Sequence, residues 1–358
     1  MKPKRVIVWG AGTLGVDGLR IIIENPALEL VGLHASSEKK QGMDAGDIAG
    51  TTKTNVLATN NVDALLALKA DCVVYFGSSA MRDKAITDDV IPFLESGTNV
   101  VSISHFDLQF PAYGRPEFVE PIKRACEVGN SSILITGEDP GFAFGQNLFC
   151  LLSVCGRLDS VRVTEMDNVR GYGGLDSLKM YGFNEPLDYV PPMFTSEIGQ
   201  AWHINTLRAI ADFLEIEIDD FTQTWETASV DFDYETAAFG MACAGKTAAT
   251  RWTVNAMIGG KPFITYEKIL RLHEDAAPDW PVAMLGEKSA PVTHRYEVSG
   301  DPSYRAELHQ PGGSALTPII AVNAVPYVCA APSGIVLQKD LPNCPPRNIP
   351  AKTSKGRG

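Results

Sequence analysis

The chain has 358 residues, 45% of them hydrophobic and 21% charged, with a formal net charge of −12. That length and apolar share predict a soluble globular protein of two domains, while the acidic balance argues against nucleic acid or an anionic membrane as partner. No stretch approaches ~18 consecutive apolar residues, so no membrane span is expected. The first residues lack the long apolar core of a signal peptide. The seven cysteines form no Cys-x-x-Cys pair, which predicts reduced thiols, no metal site and a cytoplasmic location.

The first predicted strand, Val6 to Trp9, runs directly into Gly10-Ala11-Gly12-Thr13-Leu14-Gly15 and then a helix over Val16 to Asn25. This is G-x-G-x-x-G between strand and helix. The first glycine permits the tight turn, the second lets backbone amides approach a pyrophosphate, and the third allows close packing of helix on strand. The helix N-terminus adds partial positive charge for the phosphates. The second strand, Leu28 to His34, ends in Ala35-Ser36-Ser37-Glu38-Lys39-Lys40. An NAD-selective site carries Asp or Glu at about that place for the ribose 2′-hydroxyl. Hydroxyls and lysines suit a 2′-phosphate better, so NADP is the expected cofactor and NAD the alternative.

The stretch Gly42 to Gly50 is too rich in glycine for a regular helix and reads as a loop. A short helix over Asn61 to Lys69 and a buried strand over Asp71 to Phe76 follow. The strand ends in Gly77-Ser78-Ser79, a small-residue turn that would face the dinucleotide. Then come a helix over Arg82 to Ser96, a strand over Gly97 to Ile103, a helix over Pro116 to Gly129 and a strand over Ser132 to Thr136. Alternating strands and helices predict a Rossmann-type, doubly wound parallel sheet over residues 1–141. Ligands bind outside the carboxyl ends of such strands. Phe76, Gly77 and Ser102 are therefore expected beside the cofactor. Ser104, His105 and Asp107 lie at one strand end, Gly137-Glu138-Asp139-Pro140-Gly141-Phe142 at another.

Beyond a helix over Phe144 to Cys155 the pattern changes. A strand over Leu158 to Asp167 precedes residues 168–195, which carry little periodicity and read as a long loop of a kind that is often functional. Ser196 caps an amphipathic helix to Leu214. Strands over Phe221–Val230, Thr247–Ile258, Pro262–His273, Val292–Ser299 and Ser303–Gln310 predict an α+β second domain, 142–314, with a mainly antiparallel sheet. Thr317 to Ala331 reads as a helix within 315–341 that returns to the first domain, and 342–358 as a mobile tail.

Several pieces of the chain resemble one family. Gly10–Gly15, Asp44–Gly50, Val100–Ser102, Gly137–Phe142, His273-Glu274-Asp275-Ala276-Ala277-Pro278-Asp279-Trp280-Pro281, Val322-Asn323-Ala324-Val325-Pro326 and Ala331–Gly334 occur in its order. The family is that of 2,4-diaminopentanoate dehydrogenase and the native amine dehydrogenases, whose cofactor domain is like that of dihydrodipicolinate reductase. The resemblance implies reversible NAD(P)H-dependent reductive amination of a ketone or aldehyde by a homodimer, with the active site between domains. It also implies that Asn323 lies by the cofactor. Two departures stand out. The family's paired glutamates are replaced by Ser104-His105-Phe106-Asp107-Leu108, and its Asn before Pro-Gly is Asp139.

Amination is served by a carboxylate, carbonyl reduction by an imidazolium or hydroxyl. His105 and Asp107 are thus candidate acid–base groups, each weighed against a purely structural role, and Glu138 is a third. Asp139 would bond the nicotinamide carboxamide or form a turn. Phe142, Tyr172, Met180, Phe183 and His203 are expected to line a pocket for a small ketone, amine or alcohol, or else to pack a local core. Two alternatives remain open at this stage. One is an alcohol or ketone oxidoreductase using His105; the other is a non-catalytic NADPH-binding sensor.

Overall fold

The computed structural model describes residues 2–77, 82–285, 288–289, 291–311 and 316–348. Ser78 and Ser79, the expected boundary at 314/315 and the end of the tail lie outside the described residues. The chain divides into two compact units, residues 1–142 with 315–358, and residues 143–314.

In the first unit, β1 (Lys4–Trp9) leads through Gly12 into α1 (Thr13–Glu24), which starts three residues earlier than expected. Then follow β2 (Leu28–His34), α2 (Ala45–Ala49), β3 (Ala58–Thr59), α3 (Val62–Leu66) and β4 (Cys72–Tyr75). The helix α2 corrects the expected loop. Asp44 caps it, its carboxylate accepting from Gly46 N at 2.8 Å and also from the Thr54 and Asn55 amides. Side-chain capping thus offsets the low helix propensity of Gly46. The unit continues through α4 (Asp83–Glu95), β5 (Asn99–Ser102), α5 (Pro116–Gly129) and β6 (Ser132–Ile135).

The second unit opens with α6 (Gln146–Leu152) and β7 (Arg157–Asn168). Residues 168–195 are not a continuous loop. They hold α7 (Leu175–Met180) and α8 (Pro192–Thr195), turns too short to leave a helical period in the sequence. The long helix α9 (Glu197–Leu214) starts where predicted, with Ser196 Oγ accepting from Gly199 N at 3.2 Å. There follow β8 (Asp220–Ser229), β9 (Tyr234–Thr236), β10 (Gly240–Ala242), β11 (Thr247–Ile258) and β12 (Lys261–Arg271). Gly259 and Gly260, both at positive φ, form the turn between β11 and β12. A small hairpin, β13 (Met284–Leu285) and β14 (Lys288–Ser289), precedes β15 (Val292–Asp301) and β16 (Tyr304–Gln310).

The main sheet of this unit runs β16-β15-β7-β12-β11-β8. It is mainly antiparallel, as expected, but β7 and β12 run parallel at its centre. Succession in sequence pointed to hairpins throughout. It could not reveal that β7, first in the chain, inserts between β15 and β12. One face packs on α9 at β11 and β12, where Trp252 and Tyr266 are buried, and Tyr296 is buried on β15.

The chain ends in the first unit with α10 (Leu316–Val328) and β17 (Gly334–Val336). Their return completes a parallel sheet of order β17-β6-β5-β4-β1-β2-β3. Successive residues of β1 face opposite layers. Val6 and Val8 join a core with α1 and α10, Ile7 and Trp9 one with α4 and α5. Both faces are covered, so the strands read as unbroken apolar runs.

Candidate cofactor site and candidate substrate face

At the carboxyl end of β1 the three glycines differ in what surrounds them. Gly10 sits at φ +102°, and a Cβ there would approach the Phe76 carbonyl oxygen to 3.1 Å. Gly15 could carry no side chain, since its Cβ would lie 2.0 Å from the Gly10 carbonyl oxygen. Gly12 has nothing within 4 Å of its Cβ position and is the N-cap of α1. The middle glycine thus faces open space at the end of the helix, with Thr13 and Leu14 in its first turn, which fits a pyrophosphate.

Ser36, Ser37 and Lys39 are exposed beyond β2, whereas Lys40 is half-buried. The Lys40 ammonium donates to the Ala11 carbonyl oxygen and so folds onto the glycine loop. Phe76 is buried and its ring packs where α1 has Gly18, whose Cβ would lie 2.3 Å from it. Gly77 accepts from Ser104 Oγ at 2.5 Å. The Ser102 hydroxyl is spent on its own turn, donating to the Ser104 carbonyl at 2.9 Å and accepting from the Ser104 amide. Asn323 is half-buried on α10. Glu138 is buried, its amide donating to Thr317 Oγ1 at 3.2 Å, and Asp139 and Phe142 are half-buried in the same turn.

His105 and Asp107 belong to a set that sequence reasoning did not assemble. Asp107 is buried; Arg115 grips its carboxylate through Nε at 3.1 Å, Nη2 at 2.7 Å and its backbone amide at 2.9 Å. The same guanidinium reaches Asp83 at 2.6 Å. The two carboxylates hold the Arg115 pKa above its ordinary value, against the cost of burial. His105, at φ +83°, places Nε2 2.7 Å from Thr87 Oγ1. That hydroxyl donates to the Asp83 carbonyl, so the ring presents N–H at Nε2 and a lone pair at Nδ1. Burial lowers the His105 pKa, with Asp83 and Asp107 opposing it. The ligand atoms of Asp83, His105 and Asp107 lie within 4.8 Å of one another. Arg115 already supplies the cation that a metal would supply there.

In the second unit, His203 on α9 is buried and its Nδ1 bonds the Gly199 carbonyl at 3.1 Å, leaving the Nε2 lone pair without a partner. The ring stacks on Tyr266 and lies tilted against Trp252, with centroids 4.5 and 3.9 Å away. Burial, with Lys268 nearby, pushes its pKa down to about 3. Phe183 is fully buried in the core, while Tyr172 and Met180 pack on its edge. On the same sheet face lies a buried ion pair, Lys268 Nζ to Glu165 Oε2 at 2.7 Å, with His294 Nε2 3.7 Å from that oxygen. Burial alone would raise the Glu165 carboxyl, but Lys268 and His294 hold it well below the usual carboxylate range. One signal could have found this set. Glu165 follows Val161 and Val163, and Lys268 follows Ile264 and Tyr266, so both are charges at inward strand positions. Arg271 orders the loop after β12, donating to the carbonyls of Ala276, Ala277, Trp280 and Pro281.

The parallel sheet and its glycine loop define a dinucleotide-binding fold. Residues 4–91 match the family model described as dihydrodipicolinate reductase, N-terminus. The chain is 30% identical over 347 residues to an amine dehydrogenase of Streptomyces virginiae, covering 94% of this chain and 95% of that one. It is 23% identical over 360 residues to the 2,4-diaminopentanoate dehydrogenase of Acetoanaerobium sticklandii, with 96% and 94% covered. Among solved structures, an amine dehydrogenase from Mycobacterium smegmatis superposes with a TM-score of 0.78 at 19% identity, covering 96% of this chain and 98% of that one. The protein belongs to the amine dehydrogenase family. It is an NAD(P)-dependent oxidoreductase, and no helix among the described residues is long and apolar enough to cross a membrane.

Proposed function

We propose that the protein catalyses the reversible, NADPH-dependent reductive amination of a small, mainly apolar ketone or aldehyde, as a cytoplasmic homodimer. The observation that carries this reading is the 30% identity to an amine dehydrogenase along nearly the whole of both chains. The open space at Gly12 supports a dinucleotide pyrophosphate held by the Gly10–Gly15 amides and the N-terminus of α1. Ser36, Ser37, Lys39 and Lys40 would hold a 2′-phosphate, with Ala11, Phe76, Gly77, Ser102, Asp139 and Asn323 placed along the cofactor. When bound, the dinucleotide supplies the hydride.

The chain's own residues position the reactants and manage protons. Glu138 is the carboxylate that would balance the positive charge of an iminium. The geometry supports His105 and Asp107 as the frame of that strand end. His105, kept neutral by burial, offers an acceptor at Nδ1, and Arg115 immobilises Asp107. In the second unit Tyr172, Met180, Phe183 and His203 would shape an apolar face for the substrate, Phe183 being fully buried.

The test is NADPH oxidation across a panel of small ketones with and without ammonium. Turnover that requires both ketone and ammonium supports the proposal. Turnover indifferent to ammonium replaces it with plain carbonyl reduction. Tight NADPH binding with no turnover leaves a cofactor-binding sensor. Light scattering tests the homodimer.

A further inference from the structure

Two thiols from distant parts of the chain meet inside the first unit. Cys72 opens β4 and is fully buried, whereas Cys329 directly follows α10 and is half-buried. Their side chains hydrogen-bond one another. Cys329 Sγ also lies 3.6 Å from the carbonyl oxygen of Asp71, the residue bonded to Cys72. The end of α10 is fixed at this place. The Ser132 hydroxyl donates to the Val328 carbonyl at 2.6 Å, and the Cys329 amide donates to Val325 as one more helical turn. Cys72 pairs with Val6 and Tyr75 with Trp9. The thiols therefore lie at the amino ends of the strands, and the glycine loop lies at their carboxyl ends.

Their surroundings give the two thiols unlike properties. Reaction with an oxidant needs thiolate character and access. Cys329 has both. It is partly open to solvent, and the bond from Cys72 holds its pKa below the ordinary thiol value, with Lys4 and the Asn99 side chain adding to it and burial and Asp71 opposing. Cys72 has neither, since burial pushes its thiol well above the ordinary value. Cys126 on α5 is just as buried but bonds Ser131 and the Gly334 backbone, and its thiol is raised to about 11. A reachable thiol of thiolate character with a protonated thiol behind it is the arrangement of a peroxide-reactive cysteine and its resolving partner.

We infer that Cys329 and Cys72 form a reversible thiol–disulfide site that clasps the end of α10 to β4, with hydrogen peroxide as the oxidant. The Cys329 thiolate attacks one peroxide oxygen, the O–O bond breaks, and the departing hydroxide takes up the thiol's proton to become water. Cys329 is then a sulfenic acid. The Cys72 sulfur attacks the Cys329 sulfur, the S–O bond breaks, and the second oxygen leaves as water with the Cys72 proton. Two thiols have lost two electrons and one peroxide has gained them. A dithiol reverses the change, as a site in a reducing compartment requires. The cross-link closes a loop that spans most of the chain, and so restricts the unfolded state strongly while joining elements that already touch.

The test uses the full chain. Reduced protein is treated with hydrogen peroxide, its remaining thiols are alkylated under denaturing conditions, and an unreduced digest is read by mass spectrometry. A cross-linked pair of peptides holding Cys72 and Cys329 is expected, and dithiothreitol removes it. The oxidised protein melts about 5 °C or more above the reduced one. Its Kd for NADPH stays within about threefold, because the cross-link lies at the strand ends away from the cofactor. Cys329→Ser gives no such cross-link and no rise in Tm. In Cys72→Ser the sulfenic acid at Cys329 persists and is captured by dimedone; Cys329→Ser, at a half-buried position, keeps the test decisive if the buried substitution fails to fold. Peroxide that leaves Cys72 and Cys329 unlinked overturns the site, as does a rise in Tm that survives in Cys329→Ser. A linked protein whose Tm does not rise, or whose Kd for NADPH weakens beyond about threefold, overturns the clasp.

Discussion

Each unit buries carboxylates with one cation and a histidine, and the two sets are built differently. In the first unit Arg115 grips Asp83 and Asp107 with a guanidinium that keeps its proton throughout the physiological range, while His105 attaches through Thr87. In the second unit the cation is Lys268, paired with Glu165 and approached by His294. A guanidinium holds two carboxylates in fixed geometry and cannot act as an acid; an ammonium makes a point contact and can release a proton. The comparison separates a cation that braces two carboxylates from one that makes a single point contact, although both sets present the same mixture of side chains.

The sharpest way to break this distinction is to remove the brace. Arg115→Met leaves two buried carboxylates without their cation and should cost about 3–5 kcal/mol of stability, measured by urea unfolding. A loss below about 1 kcal/mol would mean that Arg115 is not the brace. The next effect concerns protons at the folded core. The unfolded chain protonates His203 near the ordinary 6.5, the folded chain only near 3. Between those values acid favours the unfolded chain. Stability therefore falls as pH drops below about 6.5, by up to about 1.4 kcal/mol per unit for such a group. His34 and His105, both lowered chiefly by burial, add in the same direction. In His203→Gln the fall in urea midpoint between pH 7.5 and 5.5 should be visibly shallower than in wild type; an unchanged fall places the titration elsewhere.

Cofactor choice is tested at the glycine loop. Lys40→Ala should weaken NADPH about tenfold, or about 1.4 kcal/mol, and leave NADH within twofold, whereas Lys39→Ala should change NADPH binding less. Equal losses for both cofactors would assign Lys40 to the shared pyrophosphate. The smallest effect expected is on chemistry in the brace. Asp107→Asn should lower kcat less than tenfold while costing stability. A fall beyond 100-fold in a folded variant would make Asp107 a proton-transfer group rather than part of a brace.

Much of the first unit was legible in the chain because its signals are local. The glycine spacing, the apolar runs and the helix caps each act within about ten residues; Gly10 and Gly15 sit where a Cβ would crowd backbone, and Gly12 faces open space. Where sequence reading fell short, the missing term was non-local. Asp44 closes α2 by accepting from Thr54 and Asn55, ten and eleven residues on. Lys39 and Lys40 are adjacent and alike in sequence, yet only Lys40 turns back to Ala11. His105 and Asp107 were visible, but Thr87 and Arg115, which determine what each can do, were not.

The sequence by itself determined the two sheet types and the family, because each is written in contiguous or evenly spaced residues. Tertiary structure alone decided which buried charges stand together. Glu165 and Lys268 are 103 residues apart and meet because β7 runs beside β12. Strand order is set by the packing of whole faces, and a period of two within a strand says which way a side chain points but not which strand lies beside it.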